Sequence, residues 1–244
     1  MTHEDEPAER LLSRREVVAF LGATGVTWLI ASSLNHRRAV AETPGPSCVV
    51  RPEQTEGPYF VDERLNRSDI RSDPTDGRLK SGTPLALTLQ GSRLNAGDCQ
   101  PLAGAQLDIW HCDALGTYSD VEDRGFKTIG QKFLRGYQIT DARGEARFMT
   151  LYPGWYAGRT VHIHFKIRTA PVARRSFEFT SQLYFDDELT DRVHAAQPYA
   201  ARGTRTARNR HDGIFRRGGD QLMLAPTAMV DGYAATFAIG LQLP

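Results

Sequence analysis

Tyr152-Pro-Gly-Trp-Tyr156-Ala-Gly-Arg159-Thr-Val-His162-Ile-His164-Phe-Lys-Ile167 decides the fold. Its second half alternates. Val161, Ile163, Phe165 and Ile167 fall on one side of a strand, and His162, His164 and Lys166 on the other. The apolar side predicts a core on one face. The two histidines then point the same way, about 7 Å apart along the strand. Imidazole nitrogens roughly 2 Å from one ion can converge from that spacing. The competing reading makes the pair the solvated face of an ordinary strand. Working outward, the same period recurs. Leu85–Leu89, Ala105–His111, Phe133–Ile139, Ala146–Leu151, Phe177–Phe185 and Tyr233–Leu241 all read as short strands between Gly, Pro and Asp turns. Seven or so strands without long helical periodicity predict an all-β chain. The expected fold is an antiparallel β-sandwich with long loops and little helix. The stretch 186–220 differs. It is polar and arginine-rich, which predicts an excursion with one short helix and a solvated basic face.

Of the 244 residues, 40% are hydrophobic and 24% charged, as in a soluble globular chain. A formal net charge of +1 implies neither a nucleic-acid nor a membrane-surface partner. Residues 1–41 read as an address. Arg14-Arg15 precede a mildly apolar run from Val17 to Leu34, and Ala39-Val40-Ala41 supplies a small-residue cleavage pattern. These features resemble a twin-arginine (Tat) export signal. The expectation is therefore a periplasmic or secreted protein without stable membrane insertion once cleaved. An uncleaved anchor is the alternative. Residues 42–80 read as an N-terminal entry segment and 81–244 as the β-sandwich domain. Three cysteines allow one disulfide with one thiol over. Cys48 and Cys99 are the expected pair because both fall in non-strand sequence, leaving Cys112 buried and free.

Further ligands come from tyrosine. Leu107-Asp-Ile-Trp-His-Cys-Asp-Ala-Leu-Gly-Thr-Tyr118 ends a strand in a glycine turn that delivers Tyr118. Tyr156 lies just before the histidine strand. Phenolate is a hard anionic donor suited to a trivalent ion, and imidazole suits iron among other metals. A phenol with an ordinary pKa near 10 ionises at neutral pH only beside a strong Lewis acid.

These residues resemble the intradiol ring-cleavage (catechol/protocatechuate) dioxygenases, over about Glu53 to Phe185. The resemblance rests on Gln54-Thr-Glu-Gly-Pro-Tyr59-Phe, on the Pro101–Tyr118 segment, on Tyr152–Ile167 and on Thr180-Ser-Gln182-Leu-Tyr-Phe. It implies non-haem Fe(III) held by Tyr118, Tyr156, His162 and His164. Tyr152 competes for the second tyrosine position, and Pro-Gly-x-Tyr favours Tyr156. It also implies that Tyr156 takes a substrate proton, that Arg159 stabilises negative charge on the substrate and that Gln182 adds a neutral hydrogen bond. The implied reaction cleaves a small aromatic diol with O2 to a cis,cis-muconate-type diacid. Tyr59, Trp155 and the 120–132 loop are the expected substrate contacts. The acids Asp120, Glu122 and Asp123 in that loop either disfavour an acidic ring substituent or are simply loop charge. Family members often pair, which leaves a homodimer open, although no helical dimerisation segment is evident. Two other classes compete: a metal-free β-sandwich binding module, and a zinc hydrolase drawing on Cys112 or Asp113 beside the histidines.

Overall fold

The computed structural model describes residues 49–95, 98–169 and 176–243, all within one compact unit spanning 43–244. The twin-arginine segment and Cys48 lie outside the described residues. No helix among those described is long and apolar enough to cross a membrane.

Two sheets carry the chain. The first runs β10 (Thr227–Met229), β11 (Gly232–Gln242), β1 (Pro84–Asn95), β2 (Asp98–Pro101), with β7 (Glu145–Leu151) also paired to β1. The second runs β6 (Arg135–Ile139), β3 (Gln106–Trp110), β8 (His162–Arg168), β9 (Glu178–Tyr184). Every strand pair is antiparallel except β1 with β11, which is parallel. The short strands β2 and β10, and the hairpin β4 (Glu122–Asp123)–β5 (Phe126–Lys127), lack the alternation that marked the others. Cys99 lies in β2 rather than in a loop; it is disulfide-bonded, and Cys112 is buried and free.

The core follows the period-2 pattern. Leu85, Leu87 and Leu89 of β1, Phe237 and Ile239 of β11, Leu107 and Ile109 of β3, and Ile163, Phe165 and Ile167 of β8 meet in one cluster. Phe165 faces Phe237 across the sheets at 6.2 Å between ring centroids. Strand β8 departs from the sandwich expectation on its other face. His162 and His164 are each only 2% exposed, and Lys166 is 7% exposed. The entry segment covers them. Gln54 N–H donates to Thr180 O, Glu56 pairs with Lys166, and the Lys166 ammonium sits 4.1 Å over the Phe60 ring. A second, aromatic cluster forms there from Trp110, Cys112, Tyr118 and Val121, with Tyr59, Phe60, Phe126 and Tyr156 against it.

The 186–220 excursion contains α1 (Asp187–His194), capped by the Asp186 side chain on Leu189 N–H, and three short 3-10 turns. Arg202, Arg208, Arg210, Arg216 and Arg217 are exposed, as a solvated face predicts, and Arg205 is the exception. The Arg205 side chain is 4% exposed and ion-paired with Asp187 and Asp191, and Arg208 pairs with Asp191. The acids of α1 draw Arg205 inward.

Candidate metal centre

Four side chains converge on the covered face of the second sheet. On β8, His162 and His164 present Nε2 atoms 3.0 Å apart. Tyr156 brings its hydroxyl to 3.2 Å from His162 Nε2. The Tyr118 ring stands 5.7 Å from that of Tyr156 and 6.3 Å from that of His164.

The tyrosines are delivered by two loops locked together. Asp113 accepts from Leu115 N–H and Thr117 N–H through its side chain, and its own carbonyl accepts from Gly116 N–H and Gly154 N–H. Lys80 balances its charge at 2.7 Å. Gly154 is obligatory at the crossing, since a Cβ there would stand 2.4 Å from Ala114 O. Asp113 is therefore committed to the turn. The Cys112 thiol donates to Gly154 O at 3.4 Å, so both residues that a zinc reading would draw on are already engaged in the crossing. Tyr152 is committed elsewhere as well, with its hydroxyl 2.7 Å from Thr190 Oγ1 in the core. Tyr156 is the tyrosine that reaches the histidines.

The donor set fits a trivalent hard ion. Ligand atoms about 2.1 Å from one ion and at right angles around it stand about 3 Å apart, close to the spacings found. His162 Nδ1 lies 2.6 Å from Thr160 O and must donate to it, so its Nε2 carries the lone pair. Burial holds the pKa of His162 down to about 3 and that of His164 well below its ordinary value, so both rings are neutral. Burial also pushes Tyr156 up to about 12, against the pull of Arg159, and drives Tyr118 well above the phenol range. The Tyr118 hydroxyl is buried without a hydrogen-bond partner. Such a group costs on the order of 1–3 kcal/mol, which a cation at the convergence point would repay. Among the described residues no cluster of three His, Cys, Asp or Glu could hold a metal. Tyr156 and Tyr118 are the further donors that stand beside the histidine pair.

Behind the ligands lies a network that local sequence does not reveal. Arg159 donates from Nε to Asp212 Oδ2 at 2.8 Å and from Nη2 to Gln182 Oε1 at 2.5 Å. Burial lowers the Arg159 pKa, and the Tyr156 and Asp212 charges outweigh it, so the guanidinium stays charged. Asp212 is fully buried. It also accepts from Thr160, Ile214 and Phe215 N–H. Asn209 accepts from the Thr160 hydroxyl at 2.6 Å. The excursion thus clamps Thr160, whose carbonyl orients His162. Gln182, paired with His164 across β8–β9, accepts from Arg159 and Tyr184 and donates to Thr55 O. It holds the arginine in place. Arg135 is buried with backbone partners, Ser119 O and Tyr59 O.

A cavity of about 380 Å³ opens beside the tyrosines, lined by Tyr59, Gly116–Tyr118, Asp123, Gly125-Phe126, Tyr156-Ala157 and Arg202. Tyr59 stacks on Tyr118 at 4.5 Å and donates its hydroxyl to Asp123. Trp155, expected beside substrate, does not line this cavity. Its indole N–H is spent on Gly203 O at 3.1 Å and the ring packs into the main core.

Comparison with known proteins fits this geometry. A family model described as dioxygenase matches residues 55–214. The chain is 30% identical over 158 residues to the protocatechuate 3,4-dioxygenase beta chain of Burkholderia cepacia, covering 59% of this chain and 65% of that one. It is 28% identical over 152 residues to a chlorocatechol 1,2-dioxygenase of Pseudomonas putida, covering 54% and 52%. Among solved structures, an intradiol ring-cleavage dioxygenase from Tetranychus urticae superposes with a TM-score of 0.68 at 30% identity, over 80% of this chain and 94% of that one. The dioxygenase domain of a carbohydrate-binding fusion from Streptomyces sp. SirexAA-E gives 0.56 at 28% identity, over 80% and 100%. The chain belongs to the intradiol ring-cleavage dioxygenase family. It spans about two thirds or less of the length of the curated relatives it matches.

Proposed function

We propose that this chain is a non-haem Fe(III) enzyme that cleaves a catechol-type aromatic between its two oxygenated carbons with O2, yielding a cis,cis-muconate-type diacid. The observation that carries this reading is the convergence of His162 Nε2, His164 Nε2 and the Tyr156 hydroxyl, 3.0 and 3.2 Å apart, beside the orphaned Tyr118 hydroxyl. Tyr118, Tyr156, His162 and His164 would hold the iron. Ferric iron bound there would supply Lewis acidity toward the catechol. The rest falls to side chains. Held as phenolate by such an ion, Tyr156 Oη would be the base for an incoming catechol hydroxyl, and burial, which pushes its pKa up, would let it keep the proton once released. Arg159, fixed by Asp212 and Gln182, presents positive charge where the substrate gains negative charge. Tyr59 and Phe126 supply aromatic walls for the ring. The twin-arginine segment supports export to the periplasm or beyond.

The test is the visible spectrum of the purified protein, before and after anaerobic catechol. A broad tyrosinate-to-Fe(III) charge-transfer band that shifts to longer wavelength with catechol is expected. A protein that remains colourless after ferric loading would overturn the reading and favour a metal-free binding module.

A further inference from the structure

The cavity beside Tyr118 and Tyr156 is electrically lopsided. Of the three acids in the loop, Glu122 is ion-paired, and Asp120 and Asp123 are hydrogen-bonded and keep their charge. Asp120 accepts from Gly130 N–H at 2.6 Å. Glu122 pairs with Lys127 at 2.9 Å. Asp123, the acid that lines the cavity, accepts from the Tyr59 hydroxyl and from Arg124 N–H. It therefore marks the Tyr59 wall.

The opposite charge belongs to Arg202. Its Nε donates to Trp155 O at 2.9 Å and its guanidinium lies 5.0 Å over the Trp155 ring. That seat exists because residue 116 is glycine. A Cβ there would stand 3.0 Å from Arg202 Nε and 2.2 Å from Trp155 O. No carboxylate pairs with Arg202 among the described residues, whereas Arg205 and Arg208 of the same excursion are both neutralised by α1 acids. A guanidinium held by Nε and by a ring face keeps its Nη groups for a ligand, in the fork that matches a carboxylate.

We propose that Arg202 anchors an anionic substituent of the substrate, so that this chain prefers catechols bearing a carboxylate over unsubstituted catechol. The inference rests on the catechol reading above. The carboxylate turns to the Gly116–Thr117 wall, toward Arg202 and away from Asp123, while the diol faces Tyr118 and Tyr156.

The experiment measures kcat/KM of the iron-loaded protein for catechol, 3,4-dihydroxybenzoate and 3-(3,4-dihydroxyphenyl)propanoate. It compares the wild type with Arg202→Gln and Arg202→Lys, and repeats at higher salt. The two acids distinguish a carboxylate on the ring from one on an arm. The wild type should favour at least one acid over catechol. Arg202→Gln should lower that acid-to-catechol ratio roughly ten-fold, the scale of one charge-assisted pair, chiefly through KM. Arg202→Lys should restore part of it, and added salt should erode it. A ratio unchanged within about two-fold in Arg202→Gln, or a wild type that favours catechol over both acids, overturns the inference. The iron-free protein gives an independent readout, the relative binding of 4-hydroxybenzoate and phenol. Should no catechol be cleaved, the proposed function falls, and that binding ratio, lost or kept in Arg202→Gln, decides the role of Arg202.

Discussion

The Tyr118 hydroxyl is the least comfortable atom of the site, buried and without a hydrogen bond. Tyr118→Phe should therefore raise the stability of the iron-free protein by about 1 kcal/mol while abolishing the charge-transfer band and ring cleavage. Urea denaturation and visible spectra of the one variant check both. A loss of iron-free stability would show that the hydroxyl is structurally satisfied. Asp212 works at one remove, through Arg159 and the Thr160 backbone. Asp212→Asn should lower kcat roughly ten- to hundred-fold, the cost of misplacing a catalytic group, with iron content near wild type, and Arg159→Ala should behave likewise. An unchanged kcat in both returns the pair to scaffold. His162 and His164 were legible as a pair from two-residue spacing. Asp212 was not, because it lies far along the chain in polar sequence that reads as solvated. Only folding brings it to Arg159.

At the level of elements, the site depends on how loop 113–118 crosses loop 153–156. The crossing is tight at Gly154 and Gly116. Gly154→Ala must push the loops apart. It should cost roughly 1–3 kcal/mol, as overpacking does, and weaken ferric binding, because Tyr118 and Tyr156 sit on opposite sides of the crossing. Thermal unfolding and iron titration of the variant test this; wild-type iron affinity would mean that the ligands are positioned independently of the crossing. The strand that carries the histidines was legible because apolar residues alternate along it from Val161 to Ile167. The hairpin β4–β5 was not, since two-residue strands are too short to show a period, and it is this hairpin that walls the cavity.

Across the whole molecule, burial of neutral histidines ties stability to pH. His111 is fully buried. Its Nδ1 donates to Cys112 O, which leaves Nε2 to accept from the Thr150 hydroxyl at 2.6 Å. Burial lowers its pKa to about 4. The folded pKa is thus below the unfolded one, near 6.5. The neutral-histidine contribution is complete above about pH 6.5 and is lost progressively as pH falls toward 4, on the order of 3 kcal/mol. His111→Gln should show a shallower fall in denaturation midpoint across that window than the wild type. Equal slopes would mean that His111 does not titrate there.

The chain by itself determined the period-2 strands, the outward pairing of His162 and His164, the tyrosines in reach of them and the sandwich they imply, because each is a local pattern of side-chain type and spacing. Tertiary structure decided that the histidine face is buried rather than wet, that Trp155 lies outside the cavity lining, and that Asp212 and Arg202 come to the site. These depend on which distant segment covers which face. Such choices are set by the packing of residues a hundred positions apart in some cases, as when Gln54 meets Tyr184 at 2.7 Å, and no local period encodes them.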